Sequence, residues 1–247
     1  MDRAKIRLYV EEALGPDVAV PLDGQAHYLG NVMRQEAGTH VALFNGRDGE
    51  WTARLDQIGK RRASATCLCR AAPQAMPPDL WLCFAPIKKA RTDFIVEKAT
   101  EMGARRILPV FTRFTNSERI RPEKLRAHCI EAAEQCGGTF VPELDAPQPL
   151  DRLLDDWPEG RRIMFCDETA SLMDARQSLL KAGPGPDPGP WAILIGPEGG
   201  FAPEEAARLR DHPRATPVSL GPRILRADTA AVAAMALWQE ALGDWRA

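Results

Sequence analysis

Trp191-Ala-Ile-Leu-Ile-Gly-Pro-Glu-Gly-Gly-Phe-Ala-Pro-Glu-Glu205 and Val218-Ser-Leu-Gly-Pro-Arg-Ile-Leu-Arg-Ala-Asp-Thr-Ala230 share one plan. In each, a short apolar run typical of a buried strand ends at a glycine and a proline, and a pattern typical of a helix follows. Ligands of open α/β sheets collect outside the carboxyl ends of the strands, so both turns are expected to line one crevice.

The glycines of these turns have two interpretations. Gly196, Gly199, Gly200 and Gly221 lack a Cβ, which lets backbone amides and carbonyls approach a flat ligand closely. Turn shaping alone would explain any one of them. Two loops of the same design favour a binding site.

The common nucleotide-binding motifs are absent from the sequence. No glycine-rich run ends in Gly-Lys-Ser or Gly-Lys-Thr, and no Gly-x-Gly-x-x-Gly follows a strand and opens a helix. The segment 183–190 contains glycines, but its prolines prevent a helix, and we predict a loop.

The composition is that of an ordinary globular protein. The 247 residues are 45% hydrophobic and 27% charged, enough for one large or two modest domains. The charged N-terminus and the lack of an apolar run that could span a bilayer predict a cytoplasmic protein without membrane contact. The six cysteines match no disulfide framework or zinc spacing, so we expect reduced, mostly buried thiols and no metal.

The net charge of −2 hides a segregation of charge along the chain. Residues 86–126 carry 11 basic and 5 acidic groups, whereas residues 127–190 carry 5 basic and 12 acidic groups. A local basic stripe is expected where a protein contacts phosphates, although a solvated helix face would look similar. We favour RNA contact.

Residues 1–72 are predicted to form a small antiparallel β domain. A strand near Ile6–Val10 and a short helix over 24–34 precede a hairpin, in which 39–44 and 50–56 flank a glycine-rich turn. Another alternating run covers 62–70, and closure into a barrel would hide the strand edges. The proline-rich residues 73–78 are predicted to form a linker.

Residues 79–247 alternate between strands and helices, which predicts an α/β domain. Strands are expected at 80–85, 105–112 and 162–167, a helix capped by Thr92 runs to Met102, and another begins at Pro122. Its apolar stripe comprises Leu125, Cys129, Ala132, Ala133 and Cys136. The last helix is expected from about Asp228 to Leu242.

Two acidic residues close the strand at 162–167. Asp167 and Glu168 would face the same crevice as the glycine turns. An acidic side chain there would bind a ribose or balance a positive charge, or it would cap a helix beginning near Ser171. The sequence leaves these alternatives open.

The residues quoted above carry a resemblance to a known family. Ile195-Gly-Pro-Glu-Gly-Gly-Phe201 and Leu220-Gly-Pro-Arg-Ile-Leu-Arg226, followed by Asp-Thr-Ala, resemble the two C-terminal motifs of the bacterial 16S ribosomal RNA (uracil-N3)-methyltransferases, which belong to the SPOUT class. His27–Arg34, Lys88–Gly103 and Glu131–Gly137 extend the resemblance over most of the chain.

The resemblance implies a trefoil-knotted α/β domain that binds S-adenosylmethionine, a PUA-like N-terminal module that binds RNA, and a homodimer formed through the knotted region. The partner would be small-subunit ribosomal RNA or the assembled small subunit. The knot follows from the resemblance alone, because periodicity does not reveal one.

The resemblance also assigns residues. Those expected at the cofactor are Glu168, Ile195, Gly196, Glu198, Gly199, Gly200, Leu220, Gly221, Ile224, Leu225 and Thr229. Arg7, His27 and Arg34 are expected on RNA from the resemblance, and Lys88, Lys89 and Arg91 from the basic stripe.

Two residues are candidates for the chemistry. Arg226 would stabilise negative charge on the uracil oxygens as the N3 proton leaves. No histidine lies in the two motifs, and Glu198 is a candidate base, although turn geometry explains a glutamate there equally well. Two other functions stay open: a SPOUT enzyme that methylates transfer RNA or a ribose 2′-hydroxyl, and a non-catalytic ribosome-assembly protein that binds RNA.

Overall fold

A computed structural model describes residues 4–116, 120–169, 175–183, 185 and 187–246. The chain divides into two compact units. The first comprises the residues up to Met76 together with Ala133–Val141, and the second comprises Pro77–Ala132 together with the residues from Pro142 onward.

The first unit is built on a five-stranded sheet. Its strands are β1 (Arg7–Tyr9), β2 (Ala19–Pro21), β3 (His40–Phe44), β4 (Glu50–Ile58) and β5 (Ala63–Ala72). They lie in the order β1-β3-β4-β5-β2 as a curled half-barrel with β1 and β2 at its ends. The predicted hairpin is the antiparallel β3–β4 pair, in which Leu43 lies opposite Trp51, and both side chains are buried in the core.

Two local features of this unit differ from the sequence expectation. β1 pairs with β3 in parallel, because the chain between them contains β2 and two helical turns and is long enough for a crossover. The helix expected at 24–34 is a 3₁₀ turn at Asp23–Gln25 followed by a π-helical turn at Tyr28–Val32.

The second unit is an α/β layer structure. Its strands are β6 (Leu80–Phe84), β7 (Arg106–Phe111), β8 (Glu143–Leu144), β9 (Gln148–Pro149), β10 (Arg162–Cys166), β11 (Trp191–Ile195) and β12 (Ala215–Val218). Its helices are α1 (Lys89–Glu101), α2 (Pro122–Cys136), α3 (Leu150–Asp155), α4 (Ala175–Ala182), α5 (Pro203–Asp211) and α6 (Ala227–Ala241). The residues of α2 from Ala133 onward count with the first unit.

The strands of this unit form a parallel sheet in the order β12-β10-β11-β6-β7-β8, and β9 also pairs with β7. All five residues of β11 are buried, as expected for a strand covered on both faces. The chain leaves β11 through α5 and reaches β12 on the far side of β10. The trefoil knot stays a prediction.

The helix boundaries follow the sequence signals with two corrections. α1 begins at Lys89, so Thr92 is not its cap; the buried Thr92 hydroxyl instead donates to the carbonyl of Ile87 and accepts from its amide, both at 3.0 Å. In α2 the predicted stripe is buried except for Cys136, which is exposed at the last helical position. The helix expected near Ser171 falls outside the described residues.

Three global expectations can be compared with the described residues. All six cysteines are free; Cys67, Cys83 and Cys129 are buried, whereas Cys69 and Cys136 are exposed. No helix in these ranges is long and apolar enough to cross a membrane. No group of three or more His, Cys, Asp or Glu side chains there is arranged to hold a metal ion.

Candidate active site

A cavity of about 400 Å³ opens where β10, β11 and β12 end. Because these strands are adjacent and parallel, the loops that follow them emerge at the same edge of the sheet. The volume lies within the range of small-molecule binding sites. The two glycine loops therefore line one crevice, as their common design predicted.

Most of the residues predicted at this site line the cavity. They are Glu168, Ile195, Gly196, Glu198, Gly200, Leu220, Gly221, Ile224 and Leu225. Three others do not appear in its lining: Gly199 lies beside Phe114, Thr229 is exposed in the first turn of α6, and Arg226 is exposed between the lining residues Leu225 and Ala227.

Several side chains that line the cavity were not predicted from the sequence. Phe165 and Phe201 line the cavity and pack edge to face, with ring centroids 5.4 Å apart. Arg210, in the last turn of α5, also reaches it. The buried apolar character of β10 was a signal for Phe165, but nothing in the local pattern of α5 points to Arg210.

The glycines of the two loops are required for different reasons. A Cβ on Gly196 would lie 2.9 Å from the ring of Phe201, so the missing side chain makes room for that ring. Gly200 has a φ of +69° and Gly221 one of +111°, values that L side chains rarely adopt. Close packing accounts for the first glycine and backbone conformation for the other two.

The two acidic residues after β10 differ in how they are bonded. Asp167 accepts hydrogen bonds from Arg210 Nε at 2.7 Å and from the Thr169 amide and hydroxyl at 2.9 and 2.8 Å. Burial by itself would raise the pKa of Asp167, but these bonds outweigh it and hold the pKa below its usual value. Asp167 therefore braces the loop, while the exposed Glu168 has no bonded partner within the described ranges.

Comparison with known proteins adds to this geometry. Residues 74–239 match the model of the RNA methyltransferase domain, and residues 23–66 match that of the RNA methyltransferase PUA domain. The chain belongs to the RNA methyltransferase family. The resemblance noted for the two glycine motifs is thereby confirmed at the level of this family.

Relatives match this RNA methyltransferase over nearly its whole length. The ribosomal RNA small subunit methyltransferase E of Rickettsia conorii is 28% identical over 93% of both chains. That of Synechocystis is 30% identical over 86% of this chain and 69% of its own.

Two solved structures share the fold. A putative methyltransferase of Legionella pneumophila, in complex with bound S-adenosylmethionine, is 30% identical, with a TM-score of 0.85 over 97% of this chain and 98% of its own. The ribosomal RNA small subunit methyltransferase E of Neisseria gonorrhoeae, bound to S-adenosyl methionine, is 29% identical, with a TM-score of 0.82 over 97% and 99%.

The titratable groups of the methyltransferase cavity favour positioning over covalent catalysis. Burial raises the pKa of the Cys166 thiol to about 12, so this sulfur stays protonated and is a poor nucleophile. No histidine lines the cavity in the part of the chain that is described. The carboxylates that remain are Glu168 and Glu198, since Asp167 is engaged.

Arg91 of α1 lies close to both Glu198 and the last helix, α6. Arg91 lies 3.9 Å from the Glu198 carboxylate and 3.8 Å from that of Asp228, in the first turn of α6. Arg91 was predicted to bind RNA, and about a third of its side chain is exposed. Arg91 thus also faces two carboxylates of the second unit.

One RNA assignment conflicts with the structure. Only 7% of the Arg7 side chain is exposed; it pairs with Glu50 at 2.7 Å and donates to the carbonyls of Ala133, Glu134 and Gly138 at 2.6–2.9 Å. A guanidinium whose donors are used inside the protein cannot reach a phosphate. Arg7 is therefore a structural residue of the first unit.

The other residues predicted on RNA are accessible. His27, Arg34, Lys88 and Lys89 are all exposed. Lys89 forms an ion pair with Asp93 at 3.0 Å on the surface of α1, whereas Lys88 has no ion pair among the described residues. Exposed pairs are weak, so Lys89 stays available to a phosphate.

Proposed function

We propose that this RNA methyltransferase transfers the methyl group of S-adenosylmethionine to N3 of a uridine in small-subunit ribosomal RNA. The observation that carries the proposal is the cavity at the ends of β10, β11 and β12, walled by both glycine loops. Its relatives along the whole chain are small-subunit ribosomal RNA methyltransferases, and two solved structures of the same fold hold this cofactor.

The residues of the cavity fit S-adenosylmethionine. Ile195, Leu220 and Leu225 would supply apolar walls for a flat adenine, and the backbone at the glycine turns would be available to its polar edges. Glu168 lines the cavity, and its carboxylate, which has no bonded partner among the described residues, would face a ribose hydroxyl or a positive charge. When bound, the cofactor supplies a methyl group activated by its positively charged sulfonium.

The uracil must lose its N3 proton before that nitrogen becomes a good nucleophile. Arg226 is exposed at the N-terminus of α6, and no side-chain partner is found for it among the described residues. Its positive charge and the dipole of α6 have the same sign, so both stabilise negative charge that develops on the uracil oxygens. We assign Arg226 to that role.

Glu198 is the carboxylate that we assign as acceptor of the N3 proton. The alternative, that it serves only to shape the turn, would require bonds to its own loop. Within the described residues its side chain makes none, and its only charged neighbour is Arg91 at 3.9 Å. An acceptor on the cavity wall is consistent with that arrangement.

Binding of the ribosomal RNA is assigned to the exposed basic residues of both units. Lys88 and Lys89, with part of Arg91, provide phosphate contacts at the start of α1, and His27 and Arg34 provide them on the first unit. We further propose that the protein works in the cytoplasm, as a homodimer formed through the cofactor-binding region.

The decisive experiment combines cofactor binding with identification of the product. Calorimetric titration with S-adenosylmethionine is followed by methyl transfer to small ribosomal subunits, naked 16S RNA and transfer RNA. The modified nucleoside is then identified by mass and chromatography. We expect cofactor binding and 3-methyluridine in ribosomal RNA.

Other outcomes identify the competing functions. A 2′-O-methylated nucleoside or a methylated transfer RNA would replace the substrate assignment with another reaction of the same class. Absence of cofactor binding, with RNA binding retained, would show a non-catalytic assembly protein.

A further inference from the structure

Phe114 lies beside the first glycine loop, although it was part of neither motif. It follows β7, and a Cβ on Gly199 would lie 3.4 Å from the Phe114 Cβ and 3.8 Å from two atoms of its ring. Gly199 stands between Glu198 and Gly200, which both line the cavity. Phe114 therefore packs against the loop that lines the cavity, although neither Phe114 nor Gly199 belongs to the lining itself.

The segment that carries Phe114 is held in place from two sides. The Thr115 hydroxyl accepts from the Thr112 amide at 2.9 Å, and the Thr115 amide donates to the Thr112 carbonyl at 3.1 Å. Glu205 accepts from the Arg113 amide through Oε1 at 2.8 Å and from the Ala202 amide through Oε2 at 2.9 Å. One carboxylate thus joins the Phe114 segment to the glycine loop.

Despite this bracing, 41% of Phe114 is exposed. In the described ranges no aromatic ring or cation stacks on it. A single exposed apolar side chain is common at protein surfaces, but this ring is held beside a binding cavity, and aromatic rings stack favourably on flat partners. The partner in this reaction is RNA, whose unstacked bases are flat and are commonly bound on aromatic rings.

We propose that Phe114 stacks on a nucleobase of the RNA substrate and holds the RNA at the rim of the methyl-transfer site. The inference rests on the proposed function, since it places the RNA next to the cavity that binds the cofactor. Enzymes that act on a base atom take the base out of its stack and replace the lost stacking with side chains. Phe114 provides one such face, and its ring accepts any base.

The test compares Phe114→Ala, Phe114→Leu and Phe114→Trp with Phe94→Ala as the matched control. Phe94 is also an exposed phenylalanine, but it is on α1 and does not line the cavity. The measurements are affinity for S-adenosylmethionine, KM and kcat with small ribosomal subunits, and binding of 16S RNA. Leucine keeps apolar bulk but cannot stack, so it separates stacking from packing.

We expect Phe114→Ala and Phe114→Leu to raise KM or the RNA dissociation constant by about 10- to 100-fold, the scale of one lost base–aromatic stack. Phe114→Trp should stay within a few-fold of the wild type, and cofactor affinity should not change in any variant. Wild-type behaviour of Phe114→Leu would overturn the proposal, as would a loss of cofactor affinity that parallels the loss of RNA binding.

Failure of the proposed function would look different. If the wild type binds RNA but methylates none, the proposed reaction is refuted. The RNA dissociation constants of the four variants still show whether Phe114 stacks on a base. If the wild type methylates ribosomal RNA and Phe114→Ala does so equally well, only the stacking role falls.

Discussion

Replacement of Gly196 by alanine is the most direct test of how the cavity wall is built. The new Cβ would lie 2.9, 3.1 and 3.3 Å from three atoms of the Phe201 ring. Carbon atoms prefer separations of about 3.5–4.0 Å, so the ring has to move. It is packed edge to face against Phe165, and any movement displaces part of the cavity lining.

The size of the effect follows from these contacts. Overpacking of this kind costs about 1–3 kcal/mol. For a chain of this size that corresponds to a decrease of roughly 2–12 °C in the melting temperature. If the strain makes the free energy of S-adenosylmethionine binding less favourable by about 1.4 kcal/mol, affinity for the cofactor falls about tenfold.

The assay is calorimetric titration with S-adenosylmethionine, together with thermal unfolding of the same preparations. Phe201→Leu in the Gly196→Ala background should restore part of the affinity, because a smaller side chain relieves the overlap, and a double-mutant cycle measures that coupling. Gly24→Ala is the control, since a Cβ there meets nothing within 4 Å. Wild-type affinity and stability in Gly196→Ala would refute the reasoning.

Three further predictions concern charged residues. Asp167→Asn should lower the free energy of unfolding at neutral pH by about 2 kcal/mol and make it less dependent on acid pH. Because the folded-state pKa of Asp167 is depressed, the stabilisation is present above the unfolded-state pKa and is lost as pH falls through the folded-state pKa. Unfolding scans from pH 7 to 3 measure this dependence. Arg226→Ala should lower kcat about 100-fold with cofactor affinity unchanged, and alkaline pH should partly restore single-turnover methyl transfer; an unaltered rate would contradict its role. Lys88→Glu combined with Lys89→Glu should weaken 16S RNA binding and flatten its salt dependence without changing cofactor affinity, and unchanged RNA affinity would contradict the phosphate contacts.

The sequence alone determined the local units and the family. The strand–turn–helix plan at 191–205, and its counterpart around Gly221, follow from short-range rules of apolar runs, glycine, proline and helix-starting residues. Those rules act within a few residues. β11, α5 and the start of α6 therefore appear close to where the pattern predicted them.

Only the tertiary structure decided what each charged or small residue contacts. Arg7 carries the positive charge expected of an RNA-binding residue, yet it is buried against Glu50 and three backbone carbonyls. Asp167 was a candidate to bind the ribose, yet its carboxylate accepts a hydrogen bond from Arg210. Gly199 belongs to the same loop as Gly196, yet it lies outside the cavity lining and beside Phe114, which is in the turn after β7. Such contacts join residues far apart in the chain, and periodicity reports which face of an element is buried but not which partner covers it.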